Sequence, residues 1–76
     1  MNNRIVVDPK ILAGKAVIRG TRIPVYVVLN LLAHGKKMED ITKEYPEINT
    51  DDILATIEYA SEHMKHEEVH ILEAVG

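Results

Sequence analysis

The amino-acid sequence predicts a mainly α fold: a three-helix bundle with helix-turn-helix spacing, preceded by a short N-terminal β-hairpin. Three observations carry this. Apolar residues recur at helical intervals in three stretches between residues 24 and 66. Proline and glycine punctuate those stretches where helices start and stop. Two short β-branched runs, Ile5-Val6-Val7 and Ala16-Val17-Ile18, stand ahead of them.

At 76 residues the chain is one domain. It divides into a hairpin or arm over 4–23, a helical core over 24–66 and a tail over 67–76. Ile5-Val6-Val7 stops at Asp8-Pro9, because proline cannot extend a strand ladder. The second run is entered through Gly14 and left through Gly20, so the two pair across the Asp8–Lys15 connection. The first helix opens at Pro24, whose fixed φ suits a first turn, and closes at Gly35, which suits the left-handed position past a helix end. Val25, Val28, Leu29 and Leu32 form its buried stripe, and Val27 and Leu31 form a second apolar edge. A helix apolar on so many sides needs cover that two short companions hardly supply, so Val27 and Leu31 are the expected self-association face of a homodimer.

The second helix runs from Met38 to Tyr45 and ends at Pro46, since a residue before proline leaves the α region. Met38, Ile41 and Tyr45 are its apolar positions, and Lys37 caps its start poorly. Thr50 or Asn49 caps the third helix, with Asp51 and Asp52 at the positive end of its dipole. Ile53, Ile57, Ala60 and Met64 form its expected buried face, to about His66. The apolar stretch from Val69 to Val75 is a third strand, a continuation of the helix, or a segment ordered by a partner.

Composition closes several routes to function. The chain has no cysteine, which removes disulfides, thiolate metal sites and cysteine nucleophiles. Its longest unbroken apolar run is Val25 to Leu29, far short of the ~20 residues a bilayer span needs. With no secretory-type leader visible, the expected location is the cytoplasm, away from membranes. Adjacent Asp51 and Asp52 diverge by about 100° around a helix, so they are no carboxylate dyad. Ser61 is the sole serine, and no nucleophile–base arrangement is readable. Gly14-Lys15 lacks the preceding glycine and following Ser or Thr of a phosphate loop. The expectation is a protein that is not an enzyme and uses no cofactor.

Charge is more informative. Residues 1–37 carry seven cations against one acid, and residues 38–76 carry two cations against eleven acids. Phosphate backbones favour the first half and repel the second. The third helix offers Asp51, Asp52, Glu58 and Glu62 but no cation before Lys65, so it is a poor reader of a DNA groove. The candidate contact residues for nucleic acid or a partner are Lys15, Arg19, Thr21 and Arg22, clustered around a flexible glycine. The competing reading is that these cations tie to the acidic half. His63, His66 and His70, with Glu67, would share a helix face and could hold a divalent ion across a dimer. Solvated histidines explain the same pattern, and no strict zinc motif is met, so no metal is expected.

These strings resemble a known family. Ile5-Val6-Val7-Asp8-Pro9, the stretch from Gly14-Lys15 through Arg19-Gly20-Thr21-Arg22-Ile23-Pro24-Val25, Leu31-Leu32-Ala33-His34-Gly35, Tyr45-Pro46 and Asp51-Asp52-Ile53-Leu54-Ala55 look like the domain-of-unknown-function family 433. The resemblance covers about residues 4–62. It implies a homeodomain-like helix-turn-helix domain and a VapB-like antitoxin role, binding a PIN-like ribonuclease toxin and operator DNA. Lys36-Lys37 and the histidine-rich tail depart from the shared pattern. The alternative is a protein–protein interaction module that binds no nucleic acid.

Overall fold

The computed structural model describes the backbone of residues 2–75 and the side chains of residues 2–65. Strands β1 (Ile5–Val7) and β2 (Ala16–Ile18) form an antiparallel hairpin, followed by helices α1 (Val25–Ala33), α2 (Met38–Glu44) and α3 (Thr50–Val75). Ile5 lies opposite Ile18, Val6 opposite Val17 and Val7 opposite Ala16. The hairpin and three helices are the expected mainly α architecture.

The hairpin connection is knotted down by its own polar groups. The Lys10 amide donates to Asp8 Oδ1 at 2.9 Å and the Ile11 amide to the Asp8 carbonyl at 2.9 Å. Leu12 (φ +48°) and Ala13 (φ +56°) then take left-handed backbone, which costs L-residues roughly 1–2 kcal/mol each. Such a hairpin alone is barely stable, and its core-facing Ile5 and Ile18 are held by the helices.

Pro24 precedes α1 with an extended backbone, and the helix ends in a Schellman motif. The Gly35 amide donates to the Leu32 carbonyl and the Lys36 amide to that of Leu31, both at 3.0 Å. Gly35 supplies the φ of +90° that this ending needs. Helix α2 starts better than its lysine suggested. Asp40 Oδ2 accepts from the Lys37 backbone amide at 3.1 Å, which is one half of a capping box contributed from the third helical position.

The core gathers Ile5, Ile18, Ile23, Val25, Val28, Ile41, Ile48, Ile53 and Ala55. Val25 and Val28 are buried as expected, while Leu29 and Leu32 are half-buried. In α2, Ile41 is buried and Tyr45 half-buried, but Met38 lies at the surface.

Helix α3 corrects the sequence reading. Ile53 is buried, yet Ile57 is 42% and Met64 54% exposed. The face turned inward is instead Asp52, Ile53, Ala55 and Thr56, with Tyr59 half-buried. This is a rotation of roughly 90° from the expected apolar stripe. The cause is at the helix start. Asn49 and Asp52 form a reciprocal capping box, with Asp52 N–H donating to Asn49 Oδ1 and Asn49 N–H donating to Asp52 Oδ2, both at 2.9 Å. Arg4 Nη1 also donates to Asp52 Oδ1 at 2.9 Å. Those bonds turn Asp52 toward the hairpin and set the rotational phase of everything after it. Thr56, one turn on, tolerates full burial because its hydroxyl donates to the Ile53 carbonyl at 2.7 Å. The helix does not stop near His66 but continues to Val75, which is the helical alternative for residues 69–75 and puts the boundary drawn at 66 inside α3.

Asp52→Ala is expected to lower unfolding free energy by about 1–3 kcal/mol through loss of the cap and its arginine partner. Asp51→Ala, which removes an exposed first-turn charge and a distant contact to Arg4 at 3.8 Å, should change it by less than ~1 kcal/mol. Urea unfolding of both variants checks the ranking, and equal effects would refute the anchoring role of Asp52.

Candidate functional site

The densest chemical string of the sequence, Arg19-Gly20-Thr21-Arg22, is a tight turn that brings a third extended segment against β2. The Ile18 amide donates to the Ile23 carbonyl at 3.0 Å, and Val17 bridges Pro24. Within the turn the Thr21 amide donates to the Ile18 carbonyl at 3.0 Å, and Gly20 holds φ at +79°, as the third residue of a type II turn requires. Thr21 closes the loop twice: its hydroxyl donates to the Ile18 carbonyl at 2.8 Å and accepts from the Ile23 amide at 3.0 Å. The hydroxyl expected to meet a ligand is thus committed to the fold.

Pairing places three arginines in one row. The Arg19 amide donates to the Arg4 carbonyl at 2.7 Å, extending the β1–β2 ladder by one rung. Continuing the Ile18–Ile23 pairing sets Arg22 across from Arg19. Arg4, Arg19 and Arg22 therefore lie at the same end of the two-stranded hairpin, and they are spent differently. Arg4 binds Asp52 and lies 3.8 Å from Asp51, so it is the residue that ties the basic half to the acidic half. Arg19 Nε donates to the Asn3 carbonyl at 2.6 Å. Arg22 is exposed and makes no side-chain hydrogen bond or ion pair among the described residues.

Lys15 does not join this row. It precedes β2 at the opposite end, about 13 Å from Arg19 along an extended strand. There its ammonium lies 5.2 Å from the Tyr26 ring centroid, a cation–π contact. The four candidate residues therefore divide: Arg19, Thr21 and Arg22 stand together at the turn, and Lys15 stands apart.

The remaining candidates separate as well. Val27 and Leu31 are half-buried, and Leu31 packs against the core. The more exposed apolar side chains are Val7, Tyr26, Leu54, Ile57 and Met64. A hollow of about 280 Å³ between β2, α1 and α3 is lined by Tyr26, Leu29, Tyr59, Ala60, His63 and Met64, among others. The His63 ring stacks obliquely on Tyr59, with centroids 4.4 Å apart. His66 and His70 lie outside the described side chains, and no group of three metal-capable residues occurs among the described ones. A second, polar hollow of about 320 Å³ is bounded by Asn2, Arg4, Asp51 and Glu58. Sequence reasoning missed Arg4 and Asn2, whose amide donates to the Ala55 carbonyl at 2.6 Å. Neither carries a local signal; only the Asn49–Asp52 spacing of the capping box was there to be read.

The family model described as "Protein of unknown function (DUF433)" matches residues 5–60, which span the hairpin, α1, α2 and the first turns of α3. The Uncharacterized protein y4eO of Sinorhizobium fredii is 38% identical over 53 residues, covering 70% of this chain and 24% of that protein. The chain thus spans about a quarter of the length of that relative. The crystal structure of a DUF433 member protein from Anabaena variabilis superposes with a TM-score of 0.77 at 27% identity, covering 92% of this chain and 69% of the other.

Two classes of residue at the turn are separable by stability. Gly20→Ala should cost about 1–2 kcal/mol because alanine resists φ +79°. Thr21→Val should cost about 1 kcal/mol through its lost hydrogen bonds. Arg22→Ala should stay within ~0.5 kcal/mol. Thermal or urea melts check this; a large loss for Arg22→Ala would show that it, too, holds the fold.

Proposed function

The chain belongs to the DUF433 family of proteins of unknown function, and on that premise we propose that it is a non-enzymatic, antitoxin-type helix-turn-helix protein. In this reading it masks a PIN-like ribonuclease and contacts operator DNA through the arginine turn. The observation that carries it is the division of labour in the arginine row. Among the described residues Arg4 is the cation paired with the acidic start of α3, and neither Arg19 nor Arg22 forms an ion pair. A rigid turn that presents forked donors in this way suits phosphate oxygens.

Groove reading by α3 is the weaker route. Asp52 is consumed by the cap and by Arg4, and Asp51, Glu58 and Glu62 are exposed on the same helix, where they oppose phosphate. DNA contact therefore runs through the hairpin turn, with Lys15 as a separate anchor at the other end of β2. The second reading, an interaction module without nucleic acid, draws on that same acidic helix and on the use of Arg19 inside the fold.

A salt titration with duplex DNA from the gene's own upstream region separates the two. Phosphate contact predicts a steep fall of affinity with salt, and Arg22→Ala should reduce the logarithmic slope by about 1. Absence of binding at low salt would leave the interaction module. Copurification of a nuclease encoded beside the gene supports the antitoxin role, and a native pull-down that recovers no nuclease removes it.

A further inference from the structure

The rotation of α3 exposes a short apolar seam that the chain itself does not cover. Ile57 and Met64 sit seven residues apart, within about 20° of each other around the helix. Between them lie Ala60, half-buried, and Ser61, exposed, two small side chains that let another backbone come close. Along the outer flank of the same seam stand Leu54, Glu58 and Lys65, all exposed. Every described side chain from Ser61 to Lys65 is exposed, with His63 and Met64 at the rim of the hollow beside α1.

We propose that the occupant of this seam is a second copy of the chain, its α3 crossing antiparallel about a two-fold axis between Ala60 and Ser61. Self-complementarity selects that occupant. A two-fold axis at this point sets Ile57 of one protomer against the partner's Met64 and returns the same contact on the other side. It also sets Glu58 beside the partner's Lys65, twice, because equivalent flanks of antiparallel helices face each other. Lys65 is the one described cation on α3, and it falls where its opposite charge arrives. A parallel two-fold arrangement would instead put the two Glu58–Lys65 flanks on opposite sides of the seam, where neither charge meets its opposite. Tyr26 and Leu29 of α1, which border the adjoining hollow with Ala60 and Met64, widen the apolar contact. The seam is distinct from the Val27–Leu31 edge, which the chain half-covers. It shares no residue with the arginine turn, so it stands or falls separately from DNA and nuclease binding.

Sedimentation of the full chain tests this. The unmodified protein should run as a dimer at micromolar concentration, and Ile57→Glu and Met64→Glu should each weaken the dimer at least about tenfold, or about 1.4 kcal/mol. Glu58→Lys should weaken it, and Glu58→Lys combined with Lys65→Glu should restore it, an outcome that a purely structural effect would not give. Because the sequence lacks cysteine, Ser61→Cys offers a second readout independent of whether the glutamate variants fold. Oxidation should cross-link it into a covalent dimer, whereas Lys43→Cys on α2 should remain uncoupled. A monomer at high micromolar concentration, a dimer indifferent to Ile57→Glu and Met64→Glu, or equal cross-linking at positions 43 and 61 would each overturn the proposal.

Discussion

The junction of Arg4, Asn49 and Asp52 decides how this small protein is put together. One carboxylate accepts from the Asn49 amide at the start of a long helix and also receives the guanidinium of Arg4 beside the N-terminal strand, so local capping and long-range attachment are a single event. A chain of this length buries a modest share of its surface, and an ordinary apolar interface leaves the rotation of a helix loosely determined. Hydrogen bonds are directional, and three of them at Asp52 fix what packing alone would not. The result is an inner face that accepts Thr56 and Ala55 while turning Ile57 outward. Whatever the protein binds through α3 is selected by that rotation.

The turn that follows β2 shows how structural and ligand-facing roles interleave within four residues. Gly20 and Thr21 are there for geometry: one supplies a left-handed backbone, the other a hydroxyl that both donates and accepts across the loop. Arg19 has a foot in each role, extending the ladder with its amide and steadying the N-terminal arm with Nε. Arg22 is the residue left over once the fold has taken what it needs. Charge counting alone treats the five cations of the hairpin as equals, and the backbone pairing makes them unequal.

Much of the architecture was legible in the chain. Pro24, Gly35 and Pro46 act within one or two residues, so they mark helix ends faithfully, and the β-branched runs paired as read. The phase of α3 was not legible, because an apolar count gives weight to Ile57 and Met64 and none to Asp52. A buried aspartate becomes reasonable only when its partner is known, and Arg4 lies 48 residues away in sequence. The same distance hid the split of the candidate contact residues: Lys15 and Arg22 look like neighbours in the sequence and stand at opposite ends of one strand. For the histidines the chain suggests a shared face, of which only the His63 side chain is described.

The match to the family model ends at residue 60, and α3 runs unbroken to Val75. Fifteen further helical residues carry the backbone about 22 Å past that point. A continuous rod needs no new fold to grow, so this arm behaves as an extensible handle.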